Sequence, residues 1–197
     1  MAGAIELKVN EGLGLEYDTS GWGQSYYCGT NGLFYLSGFL TLYSHLVNCT
    51  DCATIVTTFA NALGCDLYEA RMEDPASMKP FAFVEVKSIG KKVWEDGRFT
   101  YHEVAVSKRA AATGNQNRAV YDACCTLNGS ATPASTSGRD PVLSNGMSFS
   151  DYDDTEPIPR TIVARSSYRE HFATNDAEGV GLCIYHWASE QRRSAMP

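Results

Sequence analysis

The sequence predicts a single α+β domain over residues 1–197: an apolar helical hairpin packed on a mostly antiparallel sheet and stabilised by disulfides. Three observations carry this expectation. Tyr26 to Cys65 contains long apolar runs and one charged residue, Asp51. "FAFVEVKSIG" and "RFTYHEVAV" alternate apolar and polar residues, the period of half-buried strands. Seven cysteines, at 28, 49, 52, 65, 124, 125 and 183, are many for a reducing compartment.

The elements follow in chain order. "AIELKV" alternates and predicts an opening strand, with Ile5 and Leu7 on one face and Glu6 and Lys8 on the other. Leu33 to Val47 is apolar almost all round, as in a central core helix, with Thr30 or Asn31 as its cap. "NCTDC" makes a tight turn, Asp51 caps a second helix from Ala53 to Leu63, and Gly64 stops it. The alternating middle predicts strands, with Asp96-Gly97 placed for a hairpin turn. "NQNRAVYDACC" reads as a short helix and Thr126 to Pro159, rich in small and polar residues, as a long loop. "RTIVARSSY" and "GVGLCIYHW" read as closing strands, and "SEQRRSAMP" as an exposed tail.

Charge and composition narrow the function classes. Sixteen basic against 23 acidic residues give −7 at neutral pH, which argues against nucleic acid as a partner because phosphate binding needs a clustered positive face. Lys87, Lys91 and Lys92 form a solvated strand face. The start "MAGAIELKVNEG" has no basic and apolar signal-peptide pattern, so a secreted protein would begin here at a mature terminus. Leu33–Val47 makes a helix of about 22 Å, short of the hydrocarbon thickness of about 30 Å.

Several residues are candidates for chemistry. Cys49-x-x-Cys52 fits a redox motif only if Cys49 opens a helix, and a zinc site only with a second pair of ligands at suitable spacing. Adjacent Cys124 and Cys125 do not easily ligate one ion, so neither metal nor other cofactor is expected. Disulfides are the leading reading for all seven cysteines: Cys49, Cys52 and Cys65 clamp the hairpin, and Cys28 ties to the sheet or to another chain. An odd total leaves one thiol for a partner chain. The rival reading is a cysteine hydrolase with Cys28 as nucleophile before a buried helix, Gln24 as oxyanion donor, and His102, His171 or, foremost, His186 as base. A third reading is a glycan-binding surface of exposed aromatics: Trp22, Trp94, Tyr101 and Trp187. His45 reads as a core histidine, and the carboxylates of "DYDDTEP" as a solvated acidic loop. Lys108-Arg109 is a candidate processing site, with cleavage after Arg109.

"GWGQSYYCGTNG", the apolar helix, "HLVNCTDCATIV" and the dibasic pair together resemble fungal secreted killer-toxin-like proteins, in particular pore-forming yeast toxins. The resemblance covers residues 21–65. It implies secretion, disulfides, cleavage into linked chains, and non-enzymatic attack on competing cells through cell-wall glycan or the membrane. The expected protein is therefore a secreted toxin or effector.

Overall fold

A computed structural model describes residues 1–19, 23–30, 32–73, 81–82, 86–90, 98–99, 101–107, 119–127, 186–191 and 194–196. The fold is α+β. Its centre is a four-stranded antiparallel sheet in the order β11 (His186–Gln191), β4 (Leu67–Glu73), β8 (Tyr101–Ser107), β9 (Val120–Tyr121). Leu67 to Glu73 pairs along its whole length with Ser107 to Tyr101, so β4 and β8 form the backbone of the sheet. Helix α3 (Cys49–Ala62) lies on these two strands, and α1 (Ala2–Gly12) packs on α3.

Helix α3 is buried along most of its length because its residues are small and apolar: Ala53, Ile55, Val56 and Ala60 are all at most 2% exposed. It ends where expected. Gly64 takes φ +87°, a left-handed conformation that suits glycine, and the amides of Gly64 and Cys65 close back onto Asn61 and Ala60. It begins earlier than expected. Asn48, not Asp51, is the N-cap: its side chain accepts from the Asp51 amide while the Asp51 carboxylate accepts from the Asn48 amide, a capping box. Cys49 and Cys52 thus stand in the first turn of the helix.

Other expectations are corrected. "AIELKV" belongs to helix α1, where Ala2, Glu6 and Val9 form the buried face; Ala, Glu, Leu and Lys favour helix, and docking on α3 rewards a 3.6-residue period. The apolar Leu33–Val47 run is not one helix. Leu33–Tyr35 forms β2, Leu36–Leu40 a short α2, and Leu46–Val47 β3, which pairs with β1 (Glu16–Tyr17). Ser37, Gly38, Thr41 and Ser44 weaken helix there, Leu42 turns left-handed at φ +47°, and tertiary partners take the rest. Tyr27 meets Phe39 and Tyr43 edge-on at 5.4 and 5.1 Å, and its hydroxyl donates to the Ser44 carbonyl. His45 is exposed rather than core. The helical hairpin is therefore one long helix with strands before it.

The "RFTYHEVAV" strand is present as β7 (Arg98–Phe99, paired with β5, Phe81–Ala82) and β8. Within "NQNRAVYDACC" the described residues, Ala119 to Cys125, are not helical: β9 leads through a turn at Asp122 to β10 (Cys125–Leu127), which pairs with β6 (Val86–Ser88). The expected tail carries half of β11 and all of β12 (Ser194–Met196), the latter parallel to β2. The Asp96-Gly97 turn, the Lys108-Arg109 pair, "RTIVARSSY" and most of the predicted 126–159 loop lie outside the described residues.

Ile55 is fully buried under the sheet, whereas Leu40 is 64% exposed. Ile55→Ala should therefore destabilise the protein by about 2–5 kcal/mol in chemical denaturation, and Leu40→Ala by less than about 0.5 kcal/mol. Equal effects would contradict this packing.

Candidate functional site

The site forms where three segments meet: the first turn of α3, the start of β8 and the turn after β9. The α3 end is set first. Asp51 is fully buried and its carboxylate accepts from Ser25 Oγ at 2.5 Å, the Tyr26 amide at 2.8 Å, the Tyr27 amide at 2.9 Å and the Asn48 amide at 3.2 Å. Burial raises its pKa and these hydrogen bonds partly offset the rise. Asn48 Nδ2 donates to the Gly23 carbonyl at 2.6 Å. The cap therefore holds both the helix and the 23–27 segment.

Thr50 fastens the same turn to the sheet, donating to Glu103 Oε2 at 2.8 Å and lying 3.3 Å from the Tyr101 hydroxyl. Between these ties stand Cys49 on α3 and His102 on β8. The His102 Nε2–H donates to Asp122 Oδ2 over 2.9 Å, and the Cys49 thiol is a second hydrogen-bond neighbour of the imidazole. Asp122 Oδ1 accepts from the Cys124 amide at 2.8 Å, which locks the turn that presents Oδ2. Asn10 of α1 braces that turn from outside by donating to the Ala123 carbonyl at 2.7 Å.

Cys49, His102 and Asp122 are thus brought together, and they are 2%, 0% and 1% exposed. Burial alone would lower the His102 pKa from 6.5; the Asp122 carboxylate, then Cys49, outweigh it and raise it to about 10. The imidazole is held as a cation, and it faces a thiol at the positive end of a 14-residue helix. Chemically, this is a nucleophile, an acid–base group and an orienting carboxylate in one line.

The surrounding thiols differ. Burial pushes Cys124 well above its ordinary value and also raises Cys125. In Cys52 a hydrogen bond with Cys124 lowers the pKa, but burial and the Asp51 carboxylate prevail. These three stay protonated at neutral pH. His102, Asp122 and Cys125 each offer a ligand atom within 4.8 Å of the others, so they are the described residues able to hold a metal ion.

No disulfide joins any two of the described cysteines, which departs from the expected cross-links. Cys49, Cys52, Cys124 and Cys125 pack side by side as thiols instead, and Cys65 is half-buried at the other end of α3. Cys28 is half-buried; its Sγ lies 3.2 Å from Thr54 Oγ1 and 4.0 Å from the Thr50 carbonyl, and Gln24 is exposed. The backbone of His186 pairs with Glu73 and that of Trp187 with Met72. Tyr101 is half-buried, and the Arg71 guanidinium covers its ring at 3.9 Å. Cys183, Trp22, Trp94 and His171 lie outside the described residues. The sequence reading missed Asp122 entirely, considered His102 only with Cys28, and assigned Cys49 to a cross-link. The available signal was Asn48-x-x-Asp51, a capping pattern that opens a helix on Cys49.

No protein-family model, curated protein or solved structure matches the chain. The site must be interpreted from its own chemistry.

Two measurements follow from this geometry. Thermal unfolding with and without dithiothreitol should superimpose; a clear fall on reduction, such as follows loss of a bridge contributing about 2–5 kcal/mol, would show cross-links. Because the folded pKa of His102 is raised, its stabilising contribution is complete below pH 6.5 and is lost as pH rises through about 10. The stability difference between wild type and His102→Asn should shrink over that interval. A difference independent of pH would contradict the imidazolium.

Proposed function

We propose that the protein is a cysteine-dependent acyl-transfer enzyme in which Cys49 is the nucleophile, His102 the acid–base group and Asp122 the orienting residue. The observation that carries the proposal is the buried His102–Asp122 pair with Cys49 as a neighbour of the imidazole, on the first turn of a long helix. The Cys49 thiolate attacks a carbonyl carbon, and the oxygen takes the negative charge. Collapse of that intermediate forms a thioester and expels the leaving group, which receives the His102 proton. Neutral His102 then takes a proton from water or from an amine as it attacks the thioester, giving hydrolysis or transfer and restoring the starting enzyme. The Cys49 amide, first in the helix, points with the helix dipole and is the donor expected to meet the oxyanion. Substrates are therefore amides, esters or thioesters. Because Cys49 is nearly covered, a carbonyl reaches Sγ only when the side chains over it move.

This reading keeps the cysteine-hydrolase chemistry anticipated for Cys28 and assigns it to a different residue. Secretion and action on competing cells rest on the killer-toxin-like resemblance alone. Among the described residues no helix is long and apolar enough to cross a membrane.

Iodoacetamide at neutral pH should alkylate Cys49 before half-buried Cys65 and before Cys28, and 4-nitrophenyl acetate should give a burst of product that Cys49→Ala abolishes. Asp122→Asn should slow acylation about 10²–10⁴-fold. Preferential labelling of Cys28 would return the nucleophile to that position, and a burst that survives Cys49→Ala would overturn the proposal.

A further inference from the structure

We propose that His102, Asp122 and Cys125 form a Zn²⁺ site that, when filled, silences the Cys49 nucleophile. The effect on Cys49 rests on the acyl-transfer reading, whereas zinc binding does not.

The donor set is the first argument. One imidazole nitrogen, one carboxylate oxygen and one thiol sulfur, all buried, lie within 4.8 Å of one another. Nitrogen and sulfur donors suit zinc; magnesium and calcium call for oxygen alone. The adjacent cysteines do not compete here: Cys125, at the start of β10, is in the group and Cys124 is outside it.

Distance is the second argument. Tetrahedral zinc with bonds of about 2.0–2.3 Å places its ligand atoms roughly 3.3–3.8 Å apart. A ligand set that spans 4.8 Å at its widest contracts by about 1 Å to meet this, within the reach of side-chain rotation. One pair, His102 Nε2 and Asp122 Oδ2, stands at 2.9 Å and needs only to open slightly as the shared proton gives way to the metal.

Charge and protons balance. The Cys125 thiol and the His102 imidazolium each release a proton to solvent, and carboxylate plus thiolate neutralise the divalent ion. Three protein ligands leave the fourth tetrahedral position open. Zinc thus takes the acid–base group and its orienting carboxylate away from the nucleophile. Cys125 then has a role distinct from that of Cys49: it completes the inhibitory site.

The test uses the full chain, freed of metal with a chelator. Zinc is titrated against a chromophoric zinc chelator for wild type, Cys125→Ser and Cys125→Ala, while iodoacetamide labelling of Cys49 is timed with and without zinc in each protein. Wild type should bind one zinc per chain, and both variants should bind it at least about 100-fold more weakly. Zinc should slow Cys49 labelling in wild type at least about tenfold, and the ratio of rates should stay near one in the variants. As a measurement independent of variant folding, Cd²⁺ added to wild type should produce a thiolate-to-metal absorption band. Absence of zinc binding, absence of that band, variants that bind zinc like wild type, or bound zinc that leaves Cys49 labelling unchanged would each overturn the proposal. Cys49 labelling as slow as that of Cys124 without any zinc would instead overturn the acyl-transfer reading and leave the zinc titration standing.

Discussion

The reciprocal hydrogen bonds between Asn48 and Asp51 are the constraint on which the rest of the site depends. A capping residue of this kind contributes about 0.5–2 kcal/mol, modest beside a total stability of about 5–15 kcal/mol. Its importance lies in position. The box starts the helix on Cys49 rather than one turn later, and so orients the thiol toward β8. The same carboxylate holds Ser25 and the amides of Tyr26 and Tyr27, so the strand-rich N-terminal segment and the helix are registered by one group. A fully buried charge is tolerable only with such a complement of donors.

A similar economy governs Asp122. One oxygen closes its own turn on the Cys124 amide, and the other holds the His102 ring. The turn is in turn braced by Asn10 and by the Ile89 amide on the Cys124 carbonyl. A buried imidazole without this carboxylate would be neutral and rotationally free. With it, the ring is anchored through Nε2 and its pKa is raised to about 10. Preorganisation of this kind lets an acid–base group act without first rearranging its surroundings.

The crowding of thiols around this pair has a consistent physical reading. Four cysteines lie together, yet their environments separate them. Cys49 stands on the first turn of α3; Cys124 and Cys125 are fully buried, and burial keeps their protons on. Burial that raises a thiol's pKa makes it a poorer nucleophile, so Cys52, Cys124 and Cys125 serve as packing.

Taken alone, the sequence determined the α+β class, the strand at "TYHEVAV", the end of α3 at Gly64 and the apolar interior around Ile55. These follow from short-range periodicity and from glycine's freedom at positive φ, which neighbouring residues suffice to specify. Tertiary structure decided the rest. Partners far away in the chain made a strand of Leu33–Tyr35 and joined residues 194–196 to it, against local helical pattern. It also converted a cysteine motif read as a cross-link into a row of buried thiols, and brought Cys49, His102 and Asp122 together across separations of 53 and 20 residues (102 − 49 and 122 − 102). No local rule encodes such a meeting, because it arises from the register of β4 with β8 and of β8 with β9, and register is fixed by the packing of the whole sheet against α3.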